Sequence, residues 1–220
     1  MSTMSSIDSK IPATRMKSED RRELILIAAT EVFGEFGYVG TTTEKVAQAA
    51  EVSQPYVVRM FGTKEKLFLE VINRALERLL EAFRAGLADP GDPQMTPEHR
   101  IGLAYVNLMS DRGLLLVLMH AFVLGSDPVI GEAARCGFLE VYEFLRTEAG
   151  FTAAQSHQFL ANGMLVNTMI GIRMSDEYTS NPLAREMLDE VFPQKLDLLL
   201  ELGDDRKAAQ VVADPEGAAQ

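Results

Sequence analysis

Apolar side chains recur every three or four residues along nearly the whole chain, and this spacing limits the fold more than any other feature. Between residues 25 and 36, one helical face carries Ile25, Ala28, Ala29, Val32, Phe33 and Phe36. No stretch alternates with the period of two that a half-buried strand shows. Since 47% of the 220 residues are apolar, a sizeable core can form. We therefore predict an all-α protein, in which three short helices precede a larger helical bundle.

Capping residues and glycines predict the ends of the first four helices. Ser18 is a candidate N-cap, and Gly37 ends the first helix. Thr41 and Glu44 form the T-x-x-E pattern of a capping box at the start of the second helix. The third helix has a serine cap, a first-turn proline and a glycine stop, and the fourth has a threonine cap: Ser53, Pro55, Gly62 and Thr63.

Pro- and Gly-rich breaks divide the rest of the chain into further helical blocks. We predict these blocks at 97–109, 111–125, 128–149, 152–174 and 182–202. The predicted organisation is a helix-turn-helix domain over 15–62 and a larger helical domain over 63–203. The polar segments 1–14 and 204–220 are predicted to be disordered tails.

The net charge of −11 is distributed unevenly, which bears on the partners that the chain can bind. Residues 10–66 hold nine Lys or Arg and eight Asp or Glu, whereas residues 67–220 hold twelve and twenty-three. A local surface without excess acid matters more for phosphate contact than the sum over the whole chain. The N-terminal quarter is therefore the candidate for nucleic-acid contact.

Membrane and disulfide signals are both weak in this sequence. No run of about 18 apolar residues indicates a membrane span. The single Cys136 cannot form an internal disulfide, and its helical setting predicts a small packed residue. Both observations fit a reducing, cytoplasmic location.

The second and third predicted helices form a helix-turn-helix pattern with polar side chains at the outer end of the third. Gln54 can pair with N6 and N7 of adenine, while Tyr56 and Arg59 can reach a base edge or a phosphate. Ser53 and Pro55 belong to the same exposed end. We predict that this end enters the major groove of DNA.

Further donors flank that end and could hold the DNA backbone. Thr42 and Thr43 open the second helix, where free N–H groups favour a phosphate oxygen, and Lys64 opens the fourth. A basic arm leads into the first helix and consists of Arg15, Lys17, Arg21 and Arg22. An ordinary helical hairpin with solvated charges has the same spacing, so the pattern by itself leaves both interpretations open.

Residues 25–72, ILIAATEVFGEFGYVGTTTEKVAQAAEVSQPYVVRMFGTKEKLFLEVI, resemble the N-terminal domain of TetR-type bacterial transcriptional regulators. The shared features are F-x-x-x-G-Y, a Thr-rich helix start, V-A-x-x-A, V-S at the turn and F-x-x-K before a long helix. The resemblance implies DNA contacts from Thr42, Thr43, Gln54, Pro55, Tyr56 and Lys64. Two positions depart from the family pattern: Glu51 replaces a turn glycine, and Val58 replaces a tyrosine.

The segment 159–172 predicts a subunit interface, because it is apolar on nearly all sides and needs cover from two directions. Gly163, Asn167 and Gly171 recur every four residues, so they share a stripe that permits close helix approach. Leu196 and Leu199 extend this surface near the chain end. The TetR resemblance implies the same arrangement, in which the last two helices of each subunit form a four-helix bundle. A central core helix of a monomer is the alternative.

Polar and adaptable side chains within apolar helices are the candidates for a ligand pocket. They are Tyr105, Met109, His120, Phe138, Tyr142 and Asn162. For each of them, ordinary core packing explains the same pattern. The three histidines lie on separate segments, so no metal site is predicted, and no cofactor is implied.

Together these features predict a homodimeric regulator, a repressor that binds a pseudo-palindromic DNA operator and is released by a small, mainly apolar effector. The alternative is a helical small-molecule-binding protein with a degenerate DNA-binding domain. An enzyme is not predicted, because the sequence offers no nucleophile set, phosphate loop or carboxylate pair.

Overall fold

The computed structural model describes residues 18–89, 94–111, 113–193, 196–197 and 199–200. This part of the chain is helical and contains no strand, which confirms the predicted all-α class. Two short 3-10 helices, at Leu108–Ser110 and Met174–Glu177, supplement the α-helices. The predicted tails 1–14 and 204–220 lie outside the described residues.

The N-terminal helices form a three-helix unit with its own apolar centre. They are α1 (Ser18–Gly40), α2 (Thr43–Ala49) and α3 (Gln54–Phe61). Each contributes a fully or nearly fully buried side chain to that centre, namely Phe33, Val46 and Val57. Gly37 has φ 65°, so the predicted end of the first helix is a sharp bend within α1.

The long helix α4 (Lys64–Ala88) joins this unit to the larger body. Near its start, the ring of Phe68 lies 4.7 Å from that of Phe33, and further along, Phe83 packs 5.7 Å from Phe144. The body consists of α5 (Pro97–Asn107), α6 (Leu114–Val123), α7 (Pro128–Thr147), α8 (Ala153–Gly171) and α9 (Pro182–Val191). One apolar core therefore runs through both regions.

The capping prediction for α2 is wrong by one residue. The N-cap is Thr42, whose hydroxyl accepts from Lys45 N at 3.2 Å. Thr41 is fully buried, and its hydroxyl donates to Gly37 O at 2.7 Å. The bend at Gly37 leaves that carbonyl without its helical partner, and Thr41 is drawn inward to satisfy it.

Three further predictions differ from the structure: the burial of Phe36, the packing of Cys136 and the length of the last helix. Phe36 is 45% exposed because it precedes the bend, and its ring lies beneath the Lys45 ammonium, 4.0 Å away. Cys136 is exposed rather than packed. The predicted helix 182–202 is interrupted after Val191, since Phe192 precedes Pro193 and a residue before proline disfavours helical geometry; residues 196–197 and 199–200 are helical again.

Gly163 and Asn167, two members of the stripe predicted to meet a second subunit, face their own body, whereas Gly171 is exposed. Asn167 is 4% exposed, and its side chain accepts a hydrogen bond from Tyr105. Gly163 approaches the Tyr105 ring, and Gly171 approaches Leu116. Leu199 is buried and Leu196 half-buried against the same core. The small residues permit close packing as expected, but the packing partner belongs to the same chain.

Helices α1 and α6 meet backbone to backbone. A Cβ on Gly34 would lie 2.4 Å from Gly113 Cα, and one on Gly113 would lie 2.4 Å from Thr30 O. Gly113 also has φ 83°. Seven residues after Gly113, His120 Nε2 lies 3.2 Å from the O atom of the same Gly34. Only glycine fits at this contact, which joins the three-helix unit to the body.

Candidate nucleic-acid interface and ligand cavity

The outer end of α3 presents polar side chains to solvent, while its other side is anchored in the core. Gln54, Pro55 and Arg59 are exposed, whereas Val57 and Phe61 are buried. Pro55 sits in the first turn, where its missing N–H costs no hydrogen bond. The sequence therefore folds α3 as an amphipathic helix with a free N-terminal end.

Tyr56 is half-buried and lies between two guanidinium groups. Arg21 Cζ on α1 is 5.7 Å from the ring centroid, and Arg59 Cζ on the next turn of α3 is 4.9 Å away. Such cation–π contacts orient both partners. The arrangement brings two positive charges from separate helices next to the exposed end of α3.

Gln54 is oriented by a bond across the turn. Its Nε2 donates to Thr43 Oγ1 at 3.2 Å. The amide nitrogen carries a second hydrogen, and the amide oxygen is an acceptor. Gln54 is thus aligned and still offers the donor–acceptor pair that complements an adenine edge.

The flanking donors differ in how free they are. Thr42 is exposed, but its hydroxyl caps α2. Ser53 occupies the N-cap position of α3 without a side-chain capping bond. Arg22 pairs with Glu70 and lies 5.3 Å from the Phe61 ring. The predicted contributions of Arg15 and Lys17 lie outside the described residues.

Lys64 is held by the three-helix unit rather than pointing freely outward. Its Nζ donates to Tyr38 O at 2.9 Å and Thr41 O at 3.2 Å, and it lies 4.4 Å from the Tyr38 ring centroid. The pKa of Tyr38 is raised by burial, with smaller effects from Glu65 and Asp127. Lys64 therefore satisfies carbonyls at the end of α1, and its phosphate contact stays a prediction.

Both departures from the family pattern are visible in the geometry. Glu51 has φ 53°, the left-handed conformation that the resemblance led us to expect at a glycine position. Val58 is 40% exposed on α3 and provides no polar group there. Tyr56 lies two residues away and supplies the phenol that position 58 lacks.

The body contains a partly open apolar cavity of about 70 Å³, the inner cavity, between α4, α5, α6, α7 and α8. Its lining includes Leu76, Phe83, Phe122, Phe138, Phe159 and Met164, with Tyr105 and Asn167 as its polar members. Tyr105 Oη donates to Asn167 Oδ1 at 2.6 Å. Burial raises the pKa of Tyr105 far above its usual value, so the hydroxyl keeps its proton.

A second, more open cleft of about 470 Å³ lies on the other side of Tyr105, Phe159 and Gly163. It is bounded by α5, α8 and residues 191–193, and its lining is more polar, with Glu98, His99 and Gln158. The two spaces are thus separated by three shared residues.

The structure separates the predicted ligand residues into two groups. Tyr105 and Phe138 line the inner cavity, and Asn162 lines the outer cleft. Three others belong to neither: Met109 is buried in the core, His120 contacts Gly34 O, and Tyr142 is half-buried on α7. The part of the wall that α4 supplies was not predicted, because a cavity-lining side chain and a core side chain follow the same helical spacing.

The described part of the chain contains neither a candidate metal site nor a single helix that could span a membrane. No group of His, Cys, Asp or Glu there has the geometry to hold a metal ion. No single helix there is long and apolar enough to cross a bilayer. The helical segments Pro97–Ser110 and Leu114–Val123, which are bent relative to each other, have sufficient length and apolar composition only when they are taken together.

The helices α1, α2 and α3, with an exposed polar end on α3, define a helix-turn-helix DNA-binding domain, and sequence comparison agrees. The prediction of three short helices is wrong for α1, which spans 23 residues. Residues 25–71 match the model of the bacterial regulatory proteins, tetR family. The chain is 35% identical over 78 residues to the HTH-type transcriptional activator FasR of Mycolicibacterium smegmatis. This matched segment covers 36% of each protein. It is 42% identical over 62 residues to the uncharacterized HTH-type transcriptional regulator YhgD of Bacillus subtilis, covering 28% of this chain and 32% of that one.

The helical body extends the likeness beyond the matched segment. A TetR-like transcriptional regulator from Rhodococcus sp. RHA1 superposes with a TM-score of 0.54 over 88% of this chain and 99% of the other, at 22% identity. This identity shows a shared fold only. Residues 25–71 therefore form a helix-turn-helix domain of the tetR family type, and the body shares the fold of a TetR-like transcriptional regulator. The matches span about a third of the length of the curated relatives.

Proposed function

We propose that this chain is a repressor that binds a pseudo-palindromic operator as a homodimer and is released by a small, mainly apolar effector. The observation that carries the proposal is the exposed end of α3, where Gln54 and Arg59 face solvent while Val57 and Phe61 anchor the helix. A helix held in this way can enter the major groove without exposing its own core.

The homodimer is supported by apolar side chains on the outer faces of α8 and α9. Leu165 is 39% exposed, Ile172 61%, Leu183 75% and Met187 45%. The spacings of seven and four residues place the members of each pair on one side of its helix. These residues replace the Gly163–Asn167–Gly171 stripe as the proposed subunit contact. In the dimer, two copies of α3 would lie about 34–36 Å apart, one turn of DNA.

The effector site in this proposal is the inner cavity. Leu118, Ala121 and Phe122 of α6 line it, while Gly113 and His120 of the same helix contact α1. An effector that favours one position of α6 would favour one position of the three-helix unit. Release then follows from different effector affinities for the DNA-bound and free arrangements.

The reading end of α3 is tested by Gln54→Ala against a DNA duplex selected by this protein from a random pool. We expect a loss of operator affinity of about tenfold, since an adenine-directed amide contributes about 1–3 kcal/mol. The matched control is Asn73→Ala, which truncates an exposed amide on α4. Fluorescence anisotropy measures both. Equal affinity of Gln54→Ala and the unaltered protein would contradict the placement of the reading end.

The subunit contact is tested by Leu183→Glu, with Leu139→Glu on α7 as the control, since Leu139 is 64% exposed. Sedimentation equilibrium should give twice 24.3 kDa for the unaltered protein and the control, and a lower mass for Leu183→Glu. A single 24.3 kDa species for the unaltered protein contradicts the dimer. If no DNA sequence is selected at all, a small-molecule-binding protein with a degenerate DNA-binding domain becomes the better interpretation.

A further inference from the structure

The inner cavity combines apolar walls with one polar pair, Tyr105 and Asn167. Among the described residues that line it there is no Asp, Glu, Lys, Arg or His. A charged ligand would lose its hydration there without gaining a counter-charge, which is strongly unfavourable. Ligands with a carboxylate, phosphate or ammonium group inside the cavity are thus disfavoured.

The orientation of the Tyr105–Asn167 pair decides which polar atom is left over. Tyr105 Oη lies 2.6 Å from Asn167 Oδ1 but 3.5 Å from Gly163 O. The single hydroxyl hydrogen therefore belongs to the short bond, and the asparagine oxygen is the acceptor. Asn167 Nδ2 then carries two hydrogens, and none of the described residues accepts them.

Asn167 is 4% exposed and lines the space together with Gly163 and Met164 of the same helix. Its Nδ2 makes no hydrogen bond to another described residue, so a ligand acceptor that reaches this group gains a hydrogen bond. The recognition chemistry is thus one hydrogen bond within an otherwise apolar enclosure.

The size of the cavity limits the part of the ligand that it can hold. At about 70 Å³ it far exceeds the space for one water molecule, which needs roughly 10–15 Å³. It is about half of the roughly 150 Å³ at which an engineered apolar cavity holds benzene. The group that enters is therefore a small ring or a short branched chain, unless the walls move.

We propose that the cavity takes a neutral, mainly apolar ligand, or a neutral end of one, whose single carbonyl or ether oxygen accepts a hydrogen bond from Asn167 Nδ2. This inference rests on the proposed function, in which the cavity is the effector site, and adds the chemical class of the effector. Tyr105 is a positioning residue, because it holds the amide oxygen and so aims the nitrogen.

The test uses two probes of equal size that differ in one acceptor. Cyclopentanone presents a carbonyl oxygen, and methylenecyclopentane replaces it with a CH₂ group. Each is titrated into the ¹⁵N-labelled full chain, and Kd is taken from NMR shifts of cavity amides. In Asn167→Leu the Kd of cyclopentanone divided by the Kd of methylenecyclopentane should rise about fivefold to tenfold, as expected for the loss of one neutral hydrogen bond. Comparing ratios cancels the different water solubilities of the probes.

Three further measurements keep the proposal testable if Asn167→Leu does not fold. In the unaltered protein, cyclopentanone should shift the side-chain NH₂ signal of Asn167, and methylenecyclopentane should not. Cyclopentylammonium and cyclobutanecarboxylate should bind at least tenfold more weakly than the ketone. Tyr105→Phe should weaken the preference for cyclopentanone without abolishing it, since Nδ2 remains a donor but the phenol no longer holds the amide oxygen.

The proposal is overturned if the ratio is the same in Asn167→Leu, if a charged probe matches the ketone, or if neither neutral probe binds. Loss of the preference in Tyr105→Phe would place the donor on the phenol and would also overturn it. None of these results touches DNA binding by α3, which is measured separately by anisotropy. Failure of the ligand class and failure of the proposed function are therefore distinguishable.

Discussion

An amide and a tyrosine occur together twice in this molecule, once at the surface and once in the interior. Gln54 and Tyr56 stand at the start of α3, with the amide exposed and the phenol half-buried. Asn167 and Tyr105 face each other inside the body, 4% and 9% exposed. The same two functional groups are thus placed in opposite surroundings.

The difference in solvent exposure determines what kind of partner each amide–tyrosine pair can recognise. At the surface, water satisfies the amide until a partner displaces it, so one hydrogen bond contributes little and recognition needs many contacts in register. In the interior no bulk water competes, and a single unsatisfied donor carries a substantial cost. The surface pair is suited to reading an extended polymer, and the interior pair to a small neutral molecule.

The largest expected effect comes from changing the interior amide to an acid, Asn167→Asp. A carboxyl among these apolar walls would have its pKa raised by burial. Because the folded pKa would exceed the unfolded value of about 3.9, the defect should be small below about pH 4 and grow as the pH rises. At pH 7 we expect a loss of about 3 kcal/mol in the free energy of unfolding, measured by urea denaturation at pH 4 and pH 7.

The same chemical change at the surface, Gln54→Glu, is the matched comparison. Water solvates the new carboxylate, so the free energy of unfolding should change by less than about 0.5 kcal/mol. Operator affinity should nevertheless fall more than about tenfold, since a negative charge would approach phosphates and lose the amide donor. Urea denaturation and anisotropy on the same preparations separate the two effects. A comparable loss of stability at both sites would break the comparison.

The second largest effect concerns the contact between the two regions, and is tested by Gly113→Ala. The new Cβ would lie 2.4 Å from Thr30 O, and φ 83° disfavours any side chain. We expect the free energy of unfolding to fall by about 2–3 kcal/mol. Gly102→Ala on α5 is the control, because nothing lies within 4 Å of its Cβ position. That change should stabilise the helix by about 0.5–1 kcal/mol. Equal melting temperatures for both variants would contradict the close contact.

The smallest effect is predicted for Lys64→Met, which tests whether Lys64 belongs to the surface site or to the fold. The variant loses two donations to Tyr38 O and Thr41 O, so stability should fall by about 1–2 kcal/mol. If Lys64 also contacts a phosphate, the slope of log affinity against log salt should decrease by about one. Lys66→Met, which changes an exposed lysine on the same helix, should alter stability by less than about 0.5 kcal/mol. Unchanged stability in Lys64→Met would remove the structural role.

Local signals in the sequence predicted the surface region well. Gly62 ends α3 with φ 80°, Thr63 caps α4, and Glu51 adopts the expected left-handed conformation. Each of these follows from backbone geometry within a few residues, which the sequence expresses directly. The error at Thr41 also has a local cause, since that side chain satisfies a carbonyl four residues earlier that the bend at Gly37 frees.

The interior could not be predicted in the same way. Asn167 and Gly163 lie on a stripe of small residues, and the sequence does not tell whether the stripe meets another subunit or Tyr105 of the same chain. His120 was a ligand candidate with core packing as the alternative, and the structure places it against Gly34. Such assignments depend on contacts between residues about 60 to 90 positions apart, and helical periodicity contains no information about them.

The glycine contact between α1 and α6 has a mechanical consequence. Where side chains interdigitate, a small sliding motion is absorbed as rotamers change and the surfaces adjust. At Gly34 and Gly113 the two main chains are in direct contact, so no layer of adjustable side chains lies between them. Any axial shift of α6 must therefore displace α1 by a similar amount or separate the two helices altogether.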